Sequence, residues 1–308
     1  MRPTLPALLI LGTVVLAACG DDDDDDGAPA TPAAAATTAA AAATTAPASV
    51  PAAVDGSAAE CAAGKTIEPD VLTIATGDPA FPPYVINDAT PQDGQGFEAA
   101  VAMAVARELG FGADAVTWVR TPFDAAIAPG PKNFDFNLQQ YTITPERAEV
   151  VDFSEGYYTA PQAIFGLADS PAAAATTIDD LKGLKIGVAA GTTSVTYVED
   201  EIQPEQEPLI FNDNAAAKTA LESNQIDAVV SDLPTALYIT TVEIEGTTVF
   251  GQIEGSGTDE FGLLLAKDSP LTECVNIALQ TLKDSGELDQ ITTEWMSDYT
   301  EAPVIAAS

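Results

Sequence analysis

The stretch "DVLTIATGDPAFPPYVINDATPQDGQGFEAAVAMAVARELG" (residues 70–110) changes its hydrophobic period part-way along. Its beginning, "VLTIAT", is a nearly unbroken run of apolar and β-branched residues, which predicts a buried strand. Farther on, Phe97, Val101, Ala104, Val105 and Leu109 fall at helical spacing, and Gly110 supplies the stop. The alternation recurs downstream. A strand within residues 182–190 leads into a Gly-Thr-Thr turn and a helix; a helix over 214–223 precedes the strand "IDAVVS". Pro234 then suits the first turn of another helix. Leu271, Val275, Leu279 and Leu282 form one late helical stripe, and Leu288, Ile291 and Trp295 form another. Strands separated by helices predict parallel sheets in an α/β fold, and 308 residues suffice for two lobes.

The chain has a formal charge of −36 and only 11 basic residues, so no basic stripe exists to displace counterions from nucleic-acid phosphates or to hold anionic headgroups. It contains no histidine. That removes Ser-His and Cys-His catalysis and leaves only thiolate-type zinc sites. Neither a cofactor motif nor a metal motif is visible.

The first residues, "MRPTLPALLILGTVVLAACG", combine one arginine, an apolar run from Leu5 to Ala18 and small residues ahead of Cys19. The run is short for a membrane span and reads as a signal peptide over residues 1–18. Its ending, Leu16-Ala17-Ala18-Cys19, looks like the lipobox of bacterial lipoproteins, with Cys19 acylated and anchored outside the cytoplasmic membrane. Ordinary cleavage beside an incidental cysteine is the alternative. Residues 19–66 begin with Asp21 to Asp26 and continue in Ala, Thr and Pro without hydrophobic period, the composition of a disordered tether. Cys61 and Cys274 remain as an even pair in an oxidising compartment; a disulfide between them is expected, with two separate thiols as the alternative.

Six segments come in a telling order: "ATGDPAFPPY" (75–84), "GFEAAVAMAVARELG" (96–110), "TPFDAAI" (121–127), "FDFNLQQYTITPERAEVVDFSEGYY" (134–158), "GVAAGTTSVTY" (187–197) and "IDAVVSDLPTALY" (226–238). Together they resemble the extracellular solute-binding proteins, family 3, that serve amino-acid ABC importers, over about residues 70–300. The resemblance implies a two-lobed α/β type II periplasmic-binding-protein fold with a ligand cleft between lobes and two hinge crossovers, near residues 158–166 and 259–266. The first lobe is then expected from residues 67–162 and 263–302, the second from 163–262, with a tail at 303–308.

A free amino acid is a zwitterion, so its binder needs a carboxylate receptor and an ammonium receptor close together. Arg147 offers a planar fork of donors suited to a carboxylate, and Thr142 can add a hydroxyl. Thr192 and Thr193 stand at a predicted helix start, where free N–H groups favour an anion. Asp232 supplies the partner for the ammonium. The resemblance implies the same roles for these five residues. It also implies that Phe81 and Phe123 sandwich the ligand side chain, that Asp78 contacts the side chain's end, and that backbone atoms of Gln140 accept from the ammonium. Glu98 is a weaker second candidate beside Asp78.

Each residue also has a plainer reading. Arg147 could pair with Glu146 or Glu149, Asp232 could cap the helix at Pro234, Thr192 and Thr193 could cap theirs, and the two rings could be core. A carboxylate at Asp78 favours a donor-bearing side chain, hence a polar or basic amino acid. Gln139, Gln140 and Tyr141 replace the family's small residues and leave the ligand's identity open. The expected protein is a monomeric lipid-anchored binding subunit, without cofactor, that hands its ligand to a membrane permease. The alternatives are a cleft enzyme of the same fold, similar to cyclohexadienyl dehydratase with Asp78 or Glu98 as general acid, and a ligand-sensing receptor subunit.

Overall fold

The computed structural model describes residues 57–254 and 259–306. The expected signal segment, Cys19 and the aspartate run lie outside the described residues.

Eleven strands follow in chain order: β1 Leu72–Gly77, β2 Val116–Thr121, β3 Phe136–Asn137, β4 Val151–Ala160, β5 Gln162–Leu167, β6 Ile186–Ala189, β7 Leu209–Phe211, β8 Ala228–Asp232, β9 Thr247–Ile253, β10 Asp259–Ala266 and β11 Val304–Ile305. They form two sheets, ordered β2-β1-β3-β10-β4 and β11-β9-β5-β8-β6-β7. In the first, β1 lies parallel to both β2 and β3; in the second, β6 lies parallel to both β7 and β8. Every residue of β1 is buried, as its apolar run requires of a strand covered on both faces.

The α-helices are α1 Ala58–Ala62, α2 Phe97–Glu108, α3 Phe123–Ile127, α4 Pro145–Ala148, α5 Thr193–Tyr197, α6 Asn214–Glu222, α7 Leu233–Tyr238, α8 Thr272–Ser285 and α9 Glu287–Met296. Helices α2, α8 and α9 bury Phe97, Val101, Val105, Val275, Leu279, Leu282 and Leu288 in one core with Leu72, Ile74 and Phe136 of the first sheet. The second sheet carries a core on each face. Ile164 and Phe165, neighbours in β5, belong to different cores because successive strand residues point to opposite faces.

The chain changes sheets at Pro161, between β4 and β5, within the expected first crossover. The return is earlier than expected. All of β10 from Asp259 pairs antiparallel with β4, so residues 259–262 belong to the first sheet rather than to the second lobe.

Two further expectations are corrected. The tether does not run to residue 66: Ser57 caps α1 through the Glu60 N–H, and Ala58 and Ala62 are buried. The Ala-rich composition concealed this, because small residues are what close packing there needs. Gly110, at φ +87°, brings α2's end so near that a Cβ would stand 2.9 Å from the Ala59 Cβ. The tail is not a free end either. Val304 and Ile305 pair with Gln252 and Ile253 of β9, and Ile305 is buried in the second sheet's core.

Cys61 of α1 and Cys274 of α8 form the disulfide, closing a loop across a sequence separation of 213 residues. A loop that long removes much denatured-state entropy. Replacing both cysteines with serine is expected to lower the unfolding free energy by about 2–5 kcal/mol. Urea denaturation reads the effect, and an unchanged midpoint would show that α1 is held by packing alone.

Candidate functional site

The carboxyl ends of β1, β2, β3, β6, β7 and β8 open on one place. Asp78 follows β1, Phe123 follows β2, Gln140 and Thr142 follow β3, Thr192 and Thr193 follow β6, Asn212 follows β7, and Asp232 ends β8. These residues, with Phe81 and Arg147, line a cavity of about 330 Å³ between the sheets, where open α/β sheets commonly hold ligands. The structure therefore brings nine of the ten candidates named from the sequence to a single cavity, Glu98 being the exception. Asp124, Gln139, Ser194, Asp213, Asn214 and Ser231 line it as well.

Arg147 sits in α4, a single turn started by Pro145 and capped by the Thr144 hydroxyl, which accepts from the Arg147 N–H at 3.2 Å. Its side chain is buried, with the residue only 9% exposed. Nη1 donates to the Thr142 carbonyl at 2.7 Å and Nη2 to the Gly191 carbonyl at 2.9 Å, so one guanidinium bridges the two lobes. The Phe123 ring lies 5.5 Å from Cζ. Among the described residues no carboxylate forms an ion pair with it, which disposes of Glu146 and Glu149 as partners. Burial lowers its pKa, while Asp259 and Asp232 act in the opposite direction. A desolvated cation whose hydrogen bonds go to carbonyls keeps its charge and has the chemistry to receive an anion.

Thr192 stands at the N-cap position of α5 without a side-chain capping bond and donates its hydroxyl to the Ala189 carbonyl at 2.7 Å; the Thr193 hydroxyl donates to Asp259 at 2.9 Å. Both hydroxyls are thus engaged within the protein. What this corner offers a ligand is the first backbone N–H groups of α5, which have no helical partner.

Asp232 precedes α7, but its side chain makes no capping bond. Instead Oδ1 accepts from Gln162 Nε2 at 3.2 Å, and the same nitrogen donates to Asp259 at 2.6 Å. The Ser194 hydroxyl holds the other end of Gln162, donating to its Oε1 at 2.7 Å. Burial foremost, with Asp259 nearby, pushes Asp232 from 3.8 up to about 8, against the pull of Arg147. Gln162, Ser194 and Asp259 were missed in the sequence. Gln162 and Asp259 occupy strands of different sheets, and nothing in their local pattern marks their meeting.

Glu98 departs from expectation. It is buried rather than exposed in the first turn of α2, and it is absent from the cavity wall. Its carboxylate accepts from the Gln140 backbone N–H at 2.7 Å, from the Gln140 side-chain amide and from the Tyr157 hydroxyl. Burial raises it from 4.5 to about 7 although these bonds oppose the rise. Gln140, at φ +51°, lines the cavity while its amide turns away to Glu98. Phe123 stacks on buried Tyr141 with centroids 4.7 Å apart, so it is both a cavity wall and part of a core.

Residues 72–298 match the family model of bacterial extracellular solute-binding proteins, family 3. The chain belongs to this family. Its relatives include the arginine-binding extracellular protein of Bacillus subtilis, 30% identical over 209 residues that cover 66% of this chain and 78% of the relative. Among solved structures, an ancestral arginine-binding protein bound to glutamine is 32% identical with a TM-score of 0.64, covering 74% of this chain and 98% of its own. An ancestral amino-acid-binding protein described as a precursor of cyclohexadienyl dehydratase is 31% identical with a TM-score of 0.60, covering 73% and 95%. Family 3 proteins are extracytoplasmic binding proteins, and the fold is the two-lobed type II architecture.

The raised pKa of Asp232 has a consequence for the empty protein. Between about 4 and 8 the native state binds a proton there that the unfolded state has released, so stability is full at the acid end and falls as pH rises through that window. Asp232→Asn is expected to flatten the decline. Urea midpoints taken across the window with ligand removed measure it, and parallel curves for both proteins would refute the shift.

Proposed function

We propose that the protein captures a free, polar or basic amino acid in this cavity and delivers it to the membrane permease of an ABC importer, as a monomer tethered to the outer face of the cytoplasmic membrane through Cys19. The observation that carries the reading is the buried Arg147 guanidinium, without an ion pair among the described residues, facing the same cavity as Asp232. One is a receptor for an α-carboxylate, the other for an α-ammonium.

In this reading Arg147 and the first N–H groups of α5 hold the carboxylate from opposite lobes, with Thr142 supporting the arginine through its carbonyl. Asp232 accepts from the ammonium. Phe81 and Phe123 flank the side chain, and the carboxylates of Asp78, Asp124 and Asp213 along the wall favour a donor-bearing or cationic end. A ligand that contacts both lobes stabilises the closed arrangement over an open one, because only the closed state satisfies all its contacts. The same family relationship leaves the dehydratase alternative in view. The binding reading is favoured over it because Glu98, the better buried acid, is bonded to Gln140 and Tyr157 rather than presented to the cavity.

Screening the soluble domain against the proteinogenic amino acids by thermal shift is expected to find stabilising ligands, recovered chemically unchanged. Arg147→Ala is expected to weaken binding by roughly tenfold to a hundredfold or more, since charged hydrogen bonds contribute about 1.5–3 kcal/mol each. Near pH 7 capture should also release protons, as the arriving ammonium favours ionised Asp232. Calorimetry in buffers of different ionisation enthalpy reads that release. A ligand-independent melting temperature across the panel, or conversion of a prephenate-like substrate, would overturn the reading.

A further inference from the structure

Gln139 lies on the cavity wall one residue before Gln140 but is held quite differently. Asn137, fully buried in β3, donates from Nδ2 to the Tyr141 hydroxyl oxygen at 3.1 Å. The Tyr141 hydroxyl in turn donates to Gln139 Oε1 at 2.8 Å, the nearer of its two acceptors, with the Phe123 carbonyl at 3.4 Å. This relay fixes the polarity of the Gln139 amide. With its oxygen committed to Tyr141, the nitrogen is left as the free end, and among the described residues no hydrogen bond is made by Gln139 Nε2.

The amide also has a prepared slot. A Cβ at Gly77 would stand 2.9 Å from Gln139 Nε2 and 2.6 Å from the Pro79 carbonyl oxygen, so the position beside Asp78 is open only because residue 77 has no side chain. Tyr141 is completely buried and stacked on Phe123, which locks its hydroxyl in place. A half-buried amide whose oxygen is satisfied and whose nitrogen is not is a pre-oriented donor.

We infer that Gln139 is a specificity-determining residue that donates from Nε2 to an acceptor on the ligand's side chain, with Tyr141 and Asn137 as its positioning residues. Asp78, adjacent to the slot, accepts from donors on the same side chain. The pair therefore reads a terminus that carries both an acceptor and N–H donors, such as a carboxamide or a ureido group. Guanidinium and ammonium termini have donors only and leave Gln139 unpaired. This inference rests on the amino-acid reading of the cavity.

L-citrulline and L-arginine are a nearly isosteric pair that differ at the atom in question, oxygen against a cationic nitrogen; L-glutamine and L-lysine make a second comparison. Their dissociation constants with the unaltered protein and with Gln139→Ala, Gln139→Glu and Tyr141→Phe test the inference by calorimetry. Gln139→Ala and Tyr141→Phe are expected to weaken citrulline and glutamine by about tenfold relative to arginine and lysine, the range of one hydrogen bond lost. Gln139→Glu, which replaces the donor by an acceptor, is expected to move the ratio further toward the cationic ligands. Tyr141→Phe keeps the ring on Phe123, so unfolding of the ligand-free variant separates a loss of orientation from a loss of fold. Ratios unchanged in every variant would overturn this inference alone. Failure of the unaltered protein to bind any of the four, with other amino acids still raising its melting temperature, would also overturn this inference alone, whereas a melting temperature unmoved by the whole panel would overturn the amino-acid reading with it.

Discussion

The molecule is organised around a buried arginine whose charge no carboxylate of the described structure neutralises through an ion pair. Taking a guanidinium out of water is costly unless its donors are met. Here two donors meet carbonyls, one from Thr142 in the guanidinium's own lobe and one from Gly191 in the other. Those bonds fix the fork's plane without cancelling its charge. A paired arginine would be inert toward an anion, and an exposed one would be screened by water and salt. Arg147 is placed between these limits by a one-turn helix, a threonine cap and an aromatic face.

The opposite charge is handled in a complementary way. Asp232 and Asp259 approach each other from different sheets and share the Gln162 amide, while Thr193 satisfies Asp259 further. Burial first, and then the nearby Asp259 carboxylate, disfavours the charged form of Asp232, which faces the cavity, and raises its pKa to about 8. An ammonium beside Asp232 relieves this conflict. In the proposed reading, relief of these unfavourable electrostatics supplies part of the driving force for ligand binding. Because Gln162, Asp232 and Asp259 span the passages between sheets, the same conflict is connected to how the lobes meet.

Most of the architecture was legible because it rests on local periodicity. The stripe of α2, the apolar run of β1, and Pro234 at the start of α7 needed no knowledge of distant residues. That Arg147 and Asp232 line one cavity was foreseeable for a different reason: an acidic chain offers few cations to choose among, and the family resemblance pointed to both positions. What stayed hidden was formed by long-range meeting. Asp259 touches Thr193 across 66 residues and Gln162 across 97, and Glu98 reaches Gln140 across 42. The return of Val304–Ile305 to β9 was hidden too, since two residues are too few to show a strand period. Glu98 looked like an exposed capping acid because its helical position suits both roles; only the packing of Tyr157 and Gln140 against it decides.

The triplet Gln139-Gln140-Tyr141 shows how three adjacent residues come to serve three destinations. At the end of β3 the strand alternation would send Gln139 and Tyr141 to one face and Gln140 to the other. The positive φ at Gln140 breaks the strand there, and Glu98 holds the broken backbone by its N–H as well as by the side-chain amide. Gln140 therefore lines the cavity with its amide turned away to Glu98, Tyr141 is buried against Phe123, and Gln139 is left with its amide in the slot beside Gly77. Small residues at these positions would leave the cavity wall to backbone atoms, which every amino acid can satisfy alike. Side chains braced from behind by Glu98, Tyr157 and Asn137 replace that generic wall with one of fixed polarity, the property on which the proposed choice among ligands with a common zwitterionic head rests.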